Sequence, residues 1–302
     1  MINVLAEFVL NVCFIFRSFF TALCRHILPE ACFHKKSLEG KVVLITGAGS
    51  GIGRQLAKCF ANDGANLLLW DIVESTNIET AEICRKLGTK VFTQTVDVGN
   101  HEAIHRAVND IEEDTDKAFG PDDVEIVMIN AGIISEASFL ESSDSHTERV
   151  MYVNVFQSFW LVKAFLPRML KRGRGHIAVT GSAASWFGMP GLVDYSASKA
   201  AVYGFMEALE HEVHFTSPNK DIHFTVICPC FVNTPMIRDF TLTQGLPLLS
   251  PEEVARKAVN AIRMNRRVVM MPKLITFVYA LKGIVPWNIY KLALFKRRFP
   301  FS

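Results

Sequence analysis

"KVVLITGAGSGIGRQLAKCF", Lys41–Phe60, decides the architecture of this chain. Its first six residues are a short β-branched and apolar run, fit for a strand buried on both faces. The glycines that follow, Gly47, Gly51 and Gly53, stand in G-x-x-x-G-x-G spacing within "TGAGSGIG". A helical pattern then runs from Arg54 to Asp63. Glycines at such a strand-to-helix turn let the backbone approach a pyrophosphate. The helix N-terminus behind them supplies N–H donors and a positive dipole end. The turn, with Ser50 and Ile52 between its glycines, is therefore a candidate dinucleotide cradle.

A glycine motif alone carries little weight, but this one has an acid in the right place. Asp71 ends the next apolar run, "NLLLWD" (66–71). A carboxylate there accepts both hydroxyls of an adenosine ribose and repels a 2′-phosphate, so NAD is expected over NADP. Arg54, just after Gly53, could address such a phosphate; with Asp71 opposing it, a solvated helix residue is the expected role.

Outward from this unit the pattern repeats. Strand-like runs fall at 41–46, 66–71, 90–98, 124–130, 175–181, 222–229 and 267–272. Helical patterns at 54–63, 75–87, 100–118, 145–171, 194–216 and 251–264 separate them. Strands alternating with helices imply a three-layer, doubly wound α/β fold on a mostly parallel seven-stranded sheet. Residues 37–272 hold this domain. Residues 1–36 read as an apolar anchor helix with its linker, and 273–302 as an apolar, basic extension.

Composition narrows the function. Net charge is +2 over 302 residues, so nothing in bulk electrostatics favours nucleic acid as a partner. The seven cysteines, Cys13, Cys24, Cys32, Cys59, Cys84, Cys228 and Cys230, form no CxxC pair and read as reduced thiols facing a reducing compartment. His101 and His105 could share a helix face, yet no third ligand lies near in sequence and no metal is expected.

The chemistry is expected in "VDYSASKAAVYGF" (193–205), where Tyr195 and Lys199 stand one helical turn apart among small residues. A free phenol, with a pKa of about 10, is a poor base near neutrality. An ammonium about 5 Å away at an effective dielectric of 20 would stabilise the phenolate by roughly 3 kcal/mol, or about two pH units. That would bring Tyr195 into range for proton transfer.

"TGAGSGIG", "NAG" (130–132), Asn154, Ser182 and "YSASK" (195–199) occur in that order, and Ser182 precedes Tyr195 by thirteen residues. Together they resemble the short-chain dehydrogenase/reductase superfamily over residues 38–272. Within it, "WDI" after the second strand, "AFLPRML" (164–170) and the apolar ends are similar to the membrane-associated retinol and 17β-hydroxysteroid dehydrogenases, lipid-droplet members included. Ile129 and Cys230 depart from the superfamily pattern, which often has Asn-Asn-Ala-Gly and Pro-Gly at these places.

The resemblance implies the remaining roles. Ser182 would hydrogen-bond the substrate oxygen. Lys199 would also hold the nicotinamide ribose. Asn154 would anchor a water relaying protons to Lys199. Asn130 would support the central strand beside the cofactor, Asp97 and Val98 would face the adenine, and Val232 and Thr234 would meet the carboxamide. The 233–250 stretch takes the place of the family's substrate lid, and a homodimer face on the long helices would follow by family analogy.

The ends bear on location. Residues 4–24 as a helix would reach about 30 Å, roughly a bilayer core. Glu7, Asn11, Ser18, Thr21 and Arg25 fall on one side of that helix, which favours a surface or hairpin anchor over a plain span. The endoplasmic reticulum membrane or a lipid droplet, with the catalytic domain in the cytosol, is the expected place. The apolar 274–299 segment either touches membrane or caps the substrate pocket. The expected activity is NAD-dependent oxidation of a lipophilic alcohol, such as retinol, a steroid or a long-chain alcohol. An NADPH-dependent retinal or carbonyl reductase, and a lipid-droplet scaffold with little turnover, stay open beside it.

Overall fold

The computed structural model describes residue 12 and residues 33–113, 124–134, 138–237, 248–282 and 284–286. Contacts divide the chain into two units, Met1–Lys36 and Ser37–Ser302. The apolar helix expected at 4–24 lies outside the described residues but for Val12, as do 238–247 of the 233–250 stretch and 287–302 of the C-terminal segment. Among the described residues no helix is long and apolar enough to cross a membrane. Everything below concerns the second unit.

Among the described residues the second unit is built on a seven-stranded parallel sheet in the order β3-β2-β1-β4-β5-β6-β7. The strands are β1 (Val42–Thr46), β2 (Asn66–Asp71), β3 (Val91–Thr95), β4 (Val124–Ile129), β5 (Arg174–Thr180), β6 (Asp221–Pro229) and β7 (Val268–Met271). All five residues of β1 are buried, as a central strand covered on both faces must be.

Alternation along β1 divides the core. Leu44 faces a layer with Trp70, Val127, Phe165 and Val202, whereas Val43 and Ile45 face Leu56, Phe60, Ala81 and Val259. The first layer carries α3 (His101–Glu113), α5 (Gln157–Arg172) and α6 (Val193–Thr216). The second carries α1 (Gly51–Asn62), α2 (Glu74–Arg85) and α7 (Pro251–Arg263). The short α4 (Asp144–Met151) precedes α5, and α8 (Leu274–Lys282) follows β7.

Two boundaries differ from the sequence reading in ways that matter for the site. Helix α1 begins at Gly51, so the glycine turn supplies its first N–H groups. The single helix expected over 145–171 is broken by a π-helical turn, Tyr152–Phe156, between α4 and α5. Such turns widen a helix locally and are frequent at functional sites. Here the turn carries Asn154, whose amide is bound to the loop after β4.

Candidate active site

The strand order reverses direction at β1 and β4, which lie side by side while their continuations run opposite ways. Loops leaving the C-terminal edge at such a point part and leave a crevice. A cleft of about 780 Å³ lies there, lined by residues that follow all seven strands, from Asp97 after β3 to Pro272 after β7. Its size is typical of small-molecule sites, which span about 300–1,000 Å³.

Of the residues singled out in the sequence, Gly47, Ser50, Gly51, Ile52, Asp71, Asp97, Val98, Asn130, Ser182, Tyr195, Lys199, Val232 and Thr234 all line the cleft. Gly53 and Asn154 are absent from the lining and act from behind it. A Cβ on Gly53 would lie 1.9 Å from the Gly47 carbonyl oxygen, so this glycine allows α1 to close against the turn. Asn154 accepts a hydrogen bond from Ile133 N–H and donates to Ile133 C=O, both at 2.9 Å, like a strand partner. Its Nδ2 also donates to Ser198 Oγ at 3.0 Å, tying the π turn to α6.

The strand order sorts the lining. On the β2–β3 side, Asp71 accepts bonds from Gly49 N–H at 2.8 Å and Val73 N–H at 2.9 Å. Two backbone donors thus orient its carboxylate, which keeps further lone pairs for a ligand. Arg54 is not the solvated residue expected. Its guanidinium pairs with Glu79 at 2.9 Å and donates to the Gly49 and Thr76 carbonyls and to Thr80 Oγ1, and it does not line the cleft. Beyond it, Asp97 receives Arg149 at 2.7 Å and Gly99 N–H at 2.9 Å.

On the β5–β6 side, Ser182 follows β5 by two residues, and Tyr195 and Lys199 come from the first two turns of α6. The Lys199 ammonium stands 5.6 Å from the centre of the Tyr195 ring and donates to the Thr180 carbonyl at 2.8 Å. A Cβ on Gly132 would lie 3.3 Å from Asn154 Oδ1 and 3.4 Å from Lys199 Nζ, so a side chain here would fill the space over both groups. Val232 and Thr234 are placed by a single parallel bridge between Val232 and Leu249: Asn233 N–H donates to Leu249 C=O, and Leu249 N–H to Phe231 C=O, each at 2.9 Å.

The electrostatics depart from the sequence expectation. Burial pushes the Tyr195 phenol above its ordinary value, and a hydrogen bond from Ser182 pulls it back down. Tyr195 is only partly exposed, toward a mostly apolar cleft rather than open water, so its anion is poorly solvated. Burial also lowers Lys199 to about 8. The helical spacing identified the pair, but the expected net drop in the phenol is not present; desolvation outweighs the hydrogen bond from Ser182.

Sequence reasoning missed a polar hub beneath the cleft. Thr46 Oγ1 accepts from Asn130 N–H at 3.0 Å and Ala131 N–H at 3.1 Å and donates to Gln157 Oε1 at 3.2 Å. Gln157 in turn donates to the Ala131 and Val153 carbonyls. Asn130 donates to the Thr46 carbonyl at 3.1 Å and accepts from Thr180 Oγ1 at 3.0 Å. These bonds lock the ends of β1, β4 and β5 together. The clue available was polarity inside apolar runs: Thr46, Gln157 and Thr180 are buried polar residues at strand or helix ends. Arg149 had no comparable clue.

The family model for short chain dehydrogenases matches residues 41–245. The chain belongs to the short-chain dehydrogenase family. It is thereby an oxidoreductase that uses a nicotinamide cofactor. Mouse 17-beta-hydroxysteroid dehydrogenase 13 is 38% identical over 90% of this chain and 86% of its own. Human epidermal retinol dehydrogenase 2 is 37% identical over 89% of this chain and 85% of its own. Among solved structures, a short-chain dehydrogenase from Burkholderia phymatum in complex with NAD superimposes with a TM-score of 0.73. It is 26% identical and covers 88% of this chain and 99% of its own. Other structural relatives hold NADP. The relatives place this dehydrogenase in the branch that the sequence motifs pointed to.

This dehydrogenase fits a dinucleotide at the cleft on its own geometry. Gly51, with φ of +51°, opens α1 toward the space, and the turn adds no side chain between Gly47 and the helix amides but Ala48 and Ser50. Among the described residues no group of three or more His, Cys, Asp or Glu could hold a metal ion.

Proposed function

We propose that this dehydrogenase moves a hydride between NAD(H) and a lipophilic alcohol, ketone or aldehyde of the retinol, steroid or long-chain class. The observation that carries the reading is the convergence of Ser182, Tyr195 and Lys199 in a mostly apolar cleft that also holds the Asp71 carboxylate.

The nicotinamide, when bound, supplies the hydride acceptor or donor. Asp71 accepts the adenosine ribose hydroxyls with the lone pairs its two backbone donors leave. The same carboxylate disfavours a 2′-phosphate, and Arg54, held by Glu79, is not free to offset that repulsion. Asp97 and Val98, beside Arg149, hold the adenine. Val232 and Thr234 meet the carboxamide, and Asn130 keeps the central strand ends in place.

Ser182 hydrogen-bonds the substrate oxygen and the Tyr195 phenol, so it lowers the cost of the phenolate that burial otherwise imposes. Tyr195 takes the hydroxyl proton during oxidation and returns it during reduction. Lys199, near neutral pH mostly charged, holds the nicotinamide ribose and passes protons toward Asn154. The apolar lining from Phe187, Leu192, Leu274, Ile275 and Val278 suits a hydrocarbon body and excludes water from the reacting carbon.

In this reading residues 37–272 form the dehydrogenase domain and 273–302 an extension. Residues 1–36 hold the enzyme on an endoplasmic reticulum or lipid-droplet surface, supported by the apolar run with its polar stripe. Pairing of two copies through the long helices is supported by exposed Tyr152 and Phe156 beside α5.

The test is turnover of the full-length protein in mild detergent with both cofactors on retinol, steroid and fatty alcohols. Tyr195→Phe keeps the ring and removes the ionisable oxygen. Turnover is expected to fall at least about a hundredfold, with NADH binding retained. Near-native turnover by that variant refutes the mechanism.

A further inference from the structure

We propose that α8 is the wall that sets how large an alcohol the cleft admits, and that Tyr279 and Lys282 are positioning residues clipping this wall to the loop that carries Ser182. The proposal rests on the reading of the cleft as the site of an apolar alcohol.

Leu274, Ile275 and Val278 of α8 line the cleft, and their spacing puts them on one face of the helix. Leu274 is 68% exposed and so stands at the mouth. A nine-residue helix has little stability of its own, so its position depends on what it is fastened to. Two side chains near its C-terminal end supply the fastening. The Tyr279 ring meets Trp186 edge-on at 4.1 Å and approaches Phe187 at 6.3 Å. Lys282 Nζ donates to the Trp186 carbonyl at 2.6 Å and stands 5.9 Å from the Phe187 ring centre. A hydrogen bond from an ammonium is stronger than one between neutral groups.

The other half of the clip is close to the chemistry. Trp186 ends a 3-10 turn, Ala183–Ser185, that is capped by the Ser182 hydroxyl. Its indole also meets Tyr203 of α6 edge-on at 4.0 Å. The indole thus touches both the helix that bears Tyr195 and Lys199 and the helix that walls the cleft. Phe187, next in the chain, itself lines the cleft. An alcohol of a few carbons bound at Ser182 and Tyr195 needs no wall. One with a long hydrocarbon body packs against α8 and loses that packing when the clip opens.

The test compares butanol with dodecanol, which share their chemistry and differ in length, on full-length wild type, Lys282→Met, Tyr279→Leu and Lys282→Arg. In the first two variants kcat/KM for dodecanol is expected to fall by about tenfold through KM, the size of a lost apolar contact, while butanol stays within about twofold. Lys282→Arg, which can still donate to the Trp186 carbonyl, is expected to restore dodecanol turnover. Cys230 gives a readout that needs no turnover, because this thiol lines the cleft. Its alkylation by N-ethylmaleimide, followed by site-resolved mass spectrometry, is expected to speed up several-fold in Lys282→Met and not in Lys282→Arg. Equal losses on both alcohols, failure of arginine to rescue, or unchanged Cys230 labelling overturns the proposal. If wild type oxidises neither alcohol, the long-chain alcohol reading of the cleft falls, and the Cys230 rates still decide whether α8 is clipped.

Discussion

Lys199 offers a test of the site that does not depend on knowing the substrate. The residue is 4% exposed, and its ammonium donates to the Thr180 carbonyl at 2.8 Å. Burial takes its pKa from 10.5 down to about 8. Each pH unit between the folded and unfolded values is about 1.4 kcal/mol, so the charged form costs the native state about 3 kcal/mol. The native state gives up this proton first. As pH rises from 8 toward 10.5 the unfolded chain therefore binds more protons, and this group's contribution to stability rises with pH. Below pH 7 both states are protonated and the contribution is flat.

The perturbation is Lys199→Met, which keeps length and apolar bulk and removes the charge. The lost bond to Thr180 shifts stability by an amount independent of pH. The raised thiols of Cys84 and Cys228 work in the opposite direction at alkaline pH; that of Cys84 cancels in the difference, and that of Cys228, which Lys199 lowers slightly, cancels in part. Urea unfolding of cofactor-free protein, followed by tryptophan fluorescence at pH 7, 8, 9 and 10, gives that difference. Wild type is expected to gain about 2 kcal/mol on the variant between pH 7 and pH 10. A flat or falling difference would show that Lys199 is not held as a destabilised ammonium.

Asp71→Ala is expected to weaken NADH binding by about tenfold or more, the value of a charged hydrogen bond, and to narrow the preference over NADPH. Tighter binding of NADPH than NADH by the wild type, measured by fluorescence titration, would show that a basic group outweighs Asp71. Gly53→Ala sets a Cβ 1.9 Å from Gly47 O and 2.8 Å from Asn130 Nδ2. It is expected to lose about 1–3 kcal/mol of stability as an overpacked site, read as a lower urea midpoint, with NADH binding lost; an unchanged midpoint contradicts the close approach of α1 to the turn. Full-length protein is expected to resist a high-salt wash of membranes, and a form starting at Lys35 to be released. Retention of the shortened form would transfer the anchor to residues 274–299.

How much the sequence determined by itself follows from which signals are local. Strand, glycine turn and helix at 41–63 are consecutive, so β1 and α1 were legible from apolar run, glycine spacing and helical period. Tyr195 and Lys199 share one helix, and the period of that helix puts them on one face whatever else the chain does. Asp71 was legible because it ends a strand whose neighbour had already been identified. The tertiary structure decided what distant segments do to one another. Asn154 breaks a predicted helix because its amide finds the Ile133 backbone 21 residues away in sequence. Arg54 turns from the cleft because Glu79, on the next helix, takes its charge. The phenol is raised rather than lowered because its desolvation is set by every segment packed around it, and the Ser182 hydrogen bond offsets only part of that. The C-terminal apolar run, readable as membrane contact or pocket cap, lines the cleft at Leu274, Ile275 and Val278, and its helix meets the carbonyl and ring of Trp186, some 90 residues earlier.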